Sequence, residues 1–219
     1  MKGIWIFHPR NGNGIAHALR WGLAACLLLV SIRLSAQSKP IPLSISLFNE
    51  STALPFTRFF TLPIHPGIQL GTEWNYKQGD HGRLFQTANV FYYHHRNLAQ
   101  GVGIHSELAY EYRLKFGLAF QGMFGLGYMH SFRTAEEFDF VDGEYVAKSD
   151  LGSARLYPSL SLDVGYYLDK ENAHSPKIFL RYQSWVEFPY SPGFIPVMTH
   201  INLHLGAKFF LHSKARNDE

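Results

Sequence analysis

Gly101 to Leu114 reads GVGIHSELAYEYRL, in which Val102, Ile104, Leu108, Tyr110, Tyr112 and Leu114 alternate with Gly103, His105, Glu107, Ala109, Glu111 and Arg113. A period of two held over fourteen residues predicts a long strand with one apolar face. The other face combines four ionisable side chains with glycine and alanine. Small residues have no purpose on a solvated sheet surface, but they fit a narrow, crowded, polar interior. The stretch therefore predicts a strand of a transmembrane β-barrel, with its greasy side to lipid.

Working outward, seven more segments alternate in the same way: Leu43 to Phe48, Gly67 to Tyr76, Leu84 to His94, Leu118 to Tyr128, Ala154 to Leu168, Lys177 to Glu187, and a last one from Thr199. Connections are short after the second, fourth and sixth strands and mostly longer after the others. This is the asymmetry of an outer-membrane barrel, with short turns on the periplasmic side and long loops outside. Fourteen residues rise roughly 48 Å at about 3.4 Å each, and a tilt near 40° projects this to roughly 36 Å, enough for an apolar band of about 25 Å. The expected fold is all-β, an eight-stranded antiparallel up-and-down transmembrane β-barrel occupying residues 38–219. A soluble antiparallel barrel would carry abundant Lys and Glu on its polar faces. Here those faces hold Gly71, Gly103, Ala109, Ala119, Gly125, Gly127, Gly165 and Gly206.

Residues 1–37 read as an export signal. Lys2, Arg10 and Arg20 precede an apolar run from Trp21 to Ile32, too short to span a bilayer as a helix, and Ser35-Ala36-Gln37-Ser38 supplies a small-residue cleavage region. Leu23-Ala24-Ala25-Cys26 has the shape of a lipobox, but the apolar run follows the cysteine instead of preceding it. Removal of 1–37 takes away four basic residues and no acids, leaving 16 basic against 17 acidic residues and a formal charge of −1. No basic cluster remains to bind nucleic acid. The only cysteine, Cys26, leaves with the signal, so disulfide and thiol chemistry are not expected.

The inward faces of the strands supply His105, Glu107, Glu111, Arg113, Asp163, Arg181, Glu187, His200, His204 and Lys208. Charges withdrawn from water must be paired, so these residues are expected to form a cross-barrel polar network that plugs the lumen; a gated small pore or a proton-linked switch is the alternative. No metal and no cofactor is expected. His200 and His204 share a face but stand four residues apart on a strand, roughly 13 Å, beyond joint coordination of one ion. His94 and His95 point to opposite faces.

The chain resembles the small eight-stranded outer-membrane β-barrel proteins of Gram-negative bacteria. The Leu34-Ser35-Ala36-Gln37 signal ending and the aromatic last strand HINLHLGAKFFL, His200 to Leu211, are similar in style to members from the Bacteroidetes. Such chains often end on an aromatic residue read by the barrel assembly machinery, whereas this one continues past Phe210 to Glu219. The resemblance implies outer-membrane localisation, contact with lipid and lipopolysaccharide, and structural, adhesive or small-ligand-binding work through outer loops. It also raises lipid A deacylase or acyltransferase chemistry. His105-Ser106-Glu107 has the residue types of a hydrolase, but alternation sends Ser106 to the lipid side, and His200-x-Asn202-x-His204 lacks a nucleophile. No catalytic residue is therefore assigned.

The longest loop, Ser131 to Ser153, carries Glu136, Glu137, Asp139, Asp142, Glu144 and Asp150 against Arg133 and Lys148. It reads as a solvated acidic loop, with cation-bridged lipopolysaccharide as the alternative. Leu54 to Pro66 and Phe188 to Pro196 are proline-punctuated and aromatic, which leaves three readings open: capping the barrel, lying in the lipid interface, or gripping an apolar ligand.

Overall fold

A computed structural model describes residues 40–211 except 136, 137, 142, 148, 173 and 192. The signal-like segment 1–37, the tail 212–219, and Glu136, Glu137, Asp142 and Lys148 of the acidic loop lie outside the described residues. The strands are β1 Ile41–Thr52, β2 Pro66–Gln78, β3 Gly82–His94, β4 Ala99–Arg113, β5 Leu118–Arg133, β6 Phe138–Val141, β7 Glu144–Ala147, β8 Ser153–Leu156, β9 Ser159–Tyr167, β10 Lys177–Glu187 and β11 Met198–Leu211. Successive barrel strands pair antiparallel, and β1 pairs with β11 from Ile41↔Leu211 to Thr52↔His200, which closes the sheet. Closure leaves the barrel no unpaired edge, the condition for strands to cross a bilayer.

The eight predicted strands are all present, with β8 and β9 together forming the sixth. Pro158 has no N–H to give the ladder, so regular pairing breaks there. Tyr157 N still donates to Gly127 O at 2.9 Å. Register does not slip across the break: Tyr128↔Leu156 on one side continues as Gly125↔Ser159 on the other. β6 and β7 form a separate hairpin inside the longest loop.

Connection lengths depart from expectation in one place. The connection after the sixth barrel strand covers 168–176, longer than the loop 95–98 after β3. Arg113 explains how the longer segment is held: its guanidinium donates to the carbonyls of Lys170 at 2.7 Å and Asp169 at 3.1 Å.

Side-chain alternation puts polar groups inside and apolar groups outside. Along β9, Leu162 is 49% exposed while its neighbour Asp163 is 2% exposed, and the whole strand repeats that pattern. Leu47, Ile104, Phe124, Leu126, Leu180 and Leu205 lie on the outer wall, all about half exposed or more. A band of this kind far exceeds the few hundred Å² of contiguous apolar surface found on soluble monomers. Inside, Phe48, Phe91, Tyr93, Met129, Tyr157 and Trp185 pack together in the half nearer the loops, and Phe85, Ala109 and Met123 in the half nearer the turns.

The lumen is too narrow for a side chain at every inward position. A Cβ built on Gly103 would come within 2.6 Å of the Tyr128 backbone oxygen and of the Phe91 ring. Gly103→Val is therefore expected to lower stability by about 1–3 kcal/mol, measurable as a lower urea midpoint for the folded barrel in detergent micelles.

Candidate functional site

At the turn end of the lumen, inward positions of seven strands converge. Glu111 on β4 accepts from Arg83 at 2.7 Å, Tyr167 at 2.8 Å and Lys177 at 3.2 Å, and also from Gln121. Glu73 on β2 pairs with Arg83 and, at 3.1 Å, with Lys208. Lys177 bridges onward to Asp163 at 3.2 Å, and Asp163 faces Arg181 at 3.4 Å. The buried carboxylates and cations thus compensate one another, as a low-dielectric interior demands.

Halfway along, Glu107 is 0% exposed. It accepts from Ser161 at 2.7 Å and Gln183 at 3.3 Å, and its second oxygen faces Arg181 and His105, each at 3.6 Å. Gln183 passes the network on: its side-chain oxygen accepts from Asn202 at 3.1 Å and from Tyr157 at 3.1 Å.

The loop end has its own cluster. Glu187 lies 2.9 Å from Arg155 and 3.4 Å from His200. His200 stacks on Trp185 with ring centroids 3.9 Å apart, and its Nδ1 is 2.7 Å from Glu50. Glu50 sits beside His65 and His95, whose rings lie 3.5 Å apart centre to centre. His95 stands outside the strands; burial pushes its imidazole below the ordinary value against the opposing pull of Glu50.

Nine of the ten lumen residues expected from alternation lie inside the barrel, in two linked groups and a loop-end cluster. Arg113 does not join them. It is the last residue of β4, half-buried at the turn end, where it lies over the Tyr167 ring at 4.0 Å and donates to turn carbonyls instead of a carboxylate. Alternation also missed Glu50, Glu73, Arg83, Arg155 and Lys177. Arg83 and Glu50 lie one and two residues outside the strand limits expected from the sequence, so extending those two periods would have found them, whereas Glu73, Arg155 and Lys177 already stood within the expected strands at lumen parity.

Between the turn-end ion pairs, the enclosed space lined by residues such as Ser44, Thr87, Asn89 and Lys208 amounts to about 20 Å³. That is room for about one water molecule.

A nucleophile and a base do meet inside. Ser46 Oγ lies 3.1 Å from His204 Nδ1, and His204 Nε2 lies 3.2 Å from the Gln183 side-chain oxygen. The third partner is an amide rather than a carboxylate, and Ser46 is 3% exposed in the filled lumen. Ser106, as alternation requires, turns away from His105 and donates to Thr87 O at 2.6 Å.

The two proline-punctuated loops behave differently. Residues 54–61 fold back over the outer wall: Phe56 and Phe59 pack on Tyr182 at 5.3 and 5.2 Å, Phe56 N donates to the Tyr182 hydroxyl at 2.8 Å, and Asn49 donates to Thr61 O at 2.9 Å. This covers outward-facing Tyr182, Ser184 and Ile201, which are buried, while Phe59, Phe60 and Leu62 remain exposed. The loop after β10 is tied by Arg155, which donates to Pro189 O. In the acidic loop, Asp150 accepts from the Arg133 and Gly152 amides at 2.6 and 2.9 Å, and these bonds hold its carboxyl below the usual carboxylate range. The exposed hairpin beyond it presents Phe140 and Tyr145, with rings 5.1 Å apart.

No family model matches the sequence. No curated protein matches it. Among solved structures, the chain is similar to the outer membrane enzyme PagL, with 14% identity over 78% of this chain and 99% of that one and a TM-score of 0.46. It is also similar to Neisserial surface protein A (NspA), with 8% identity over 80% and 98% and a TM-score of 0.47. Ail, the attachment invasion locus protein of Yersinia pestis, shares 10% identity over 78% and 97% with a TM-score of 0.42. At these values the likenesses extend no further than the closed eight-stranded barrel already described.

Proposed function

We propose that this protein resides in the outer membrane as a non-conducting barrel whose work is done by its loop end, in a structural, adhesive or small-ligand-binding role. The observation that carries this reading is the filled lumen, where Glu73, Arg83, Glu111, Lys177, Asp163, Arg181 and Glu107 pair in sequence along the barrel. A pore would need water where these side chains pack. Lipid placement is supported by the apolar outer wall and by the aromatic loop lying against it, and lipopolysaccharide is the partner that an outer-leaflet position would supply.

Two measurements test this. Purified protein in a planar lipid bilayer is expected to give no discrete conductance steps; regular single-channel openings would overturn the closed-lumen reading. Ser46→Ala is expected to leave the acylation pattern of lipid A unchanged when either form is overproduced. A mass shift seen with the natural chain and lost in the variant would make it a lipid-modifying hydrolase.

A further inference from the structure

The barrel register assembles a ligand set that no single strand contains. β1 and β2 pair Asn49 with Pro66, and β2 and β3 pair Gly67 with Tyr93. Carried toward the loops, the first ladder by one step and the second by two, they set Glu50 beside His65, and His65 beside His95. Glu50 N donates to His65 O at 2.8 Å, which confirms the first pairing. All three side chains are buried.

Their ligand atoms lie within 4.8 Å of one another, so a common centre is no more than about 2.8 Å from each. Zinc bonds to imidazole nitrogen or carboxylate oxygen run about 2.0–2.2 Å, so closure needs less than about 1 Å of movement per side chain.

The polar atoms at this place bear on the assignment. Glu50 Oε2 and His65 Nε2 are buried and have no hydrogen-bond partner among the described residues. A buried polar atom left unmet is costly, and a shared cation satisfies both at once. His65 Nδ1 lies 3.2 Å from the Glu50 backbone oxygen. A carbonyl only accepts, so Nδ1 carries the proton and Nε2 presents its lone pair, the arrangement that orients metal-binding histidines. Glu50 Oε1 is meanwhile held by His200 at 2.7 Å, which steadies the carboxylate and leaves Oε2 available. His95 Nδ1 takes only a long bond, 3.3 Å, from the Asn97 amide.

The geometry points to a divalent-cation site of the zinc class formed by Glu50, His65 and His95 at the loop end of the lumen. Two imidazoles and one carboxylate suit zinc and its first-row neighbours better than calcium or magnesium. Three protein ligands leave a fourth position for water or for a donor atom arriving from outside. A bound ion ties the β1–β2 and β3–β4 loops to β1, and this holds whichever role the loop end serves.

The test uses the full chain without an affinity tag, folded in detergent micelles and stripped with EDTA. Titration with zinc by calorimetry is expected to give one ion per chain, cobalt substitution the intense visible bands of four-coordinate Co²⁺, and zinc a saturable rise in unfolding temperature. Glu50→Gln and His65→Ala are each expected to weaken binding by at least about 100-fold, since each removes a direct ligand. His94→Ala, whose side chain points to the other face, should bind as the natural chain does. Should His65→Ala fail to fold, the nearly isosteric Glu50→Gln decides. Lack of stoichiometric uptake, uptake without any rise in unfolding temperature, or binding that survives Glu50→Gln undiminished would each overturn the assignment in favour of surface histidines alone.

Discussion

Replacing Leu205 with arginine is expected to prevent most of the protein from assembling in a bilayer. Leu205 lies mid-strand on β11, opposite Leu47 on β1 and Leu180 on β10, and is 64% exposed on the outer wall. A charge at such a position near the bilayer midplane costs about 2–4 kcal/mol, which is roughly a 30- to 1,000-fold loss in the folding equilibrium. The measurement is the fraction of protein reaching the heat-modifiable folded form in lipid vesicles as urea is diluted. Leu151→Arg is the matched control. Leu151 is more exposed still, at 84%, but it lies in the loop beside Gly152, outside the barrel wall. In a protein surrounded by water the two changes would be equally harmless, so equal tolerance would remove the membrane reading.

Glu111→Ala is expected to cost about 3–5 kcal/mol of barrel stability, because it strips a buried carboxylate from cations that remain buried. Arg83 retains Glu73 and Lys177 retains Asp163, but each loses its contact to the shared hub. Glu111→Gln keeps the shape and part of the hydrogen bonding, and should fall between the natural chain and alanine. A sharper check removes both partners. Glu111→Leu combined with Lys177→Met should be less damaging than the sum of the single changes, since neither then leaves an uncompensated charge. Urea unfolding from vesicles measures all five variants. An alanine cost under about 1 kcal/mol would mean that solvent reaches the site and screens it.

How much of this was legible from sequence follows from what alternation encodes. The period of two in GVGIHSELAYEYRL assigns each residue to wall or lumen without reference to any other strand, so His105, Glu107 and Glu111 were placed inside from local pattern alone. Arg113 obeys the same parity but sits at the strand end, where its long side chain finds turn carbonyls instead of the lumen. Tyr182 is the converse case. Parity put it on the outer wall, correctly, yet it is buried because residues 54–61 return across β10. Nothing in the local spacing of that loop encodes the path it takes.

The histidines show the same division. Taken strand by strand, the rise per residue sets His200 and His204 too far apart to chelate, and His94 and His95 face opposite ways, the first exposed and the second buried. The group that does converge, Glu50, His65 and His95, spans β1, the residue before β2 and the residue after β3. Only the inter-strand register makes its members neighbours.

The sequence by itself determined the strand count, the two faces of each strand and the polarity of the barrel, because side-chain direction alternates along any extended backbone and water or lipid selects the face. Tertiary structure alone decided which lumen charges pair, where the returning loop covers the wall, and that three ligand-type side chains meet at one rim. Those outcomes depend on register and loop path, which hydrogen bonds between distant segments establish and no single segment contains.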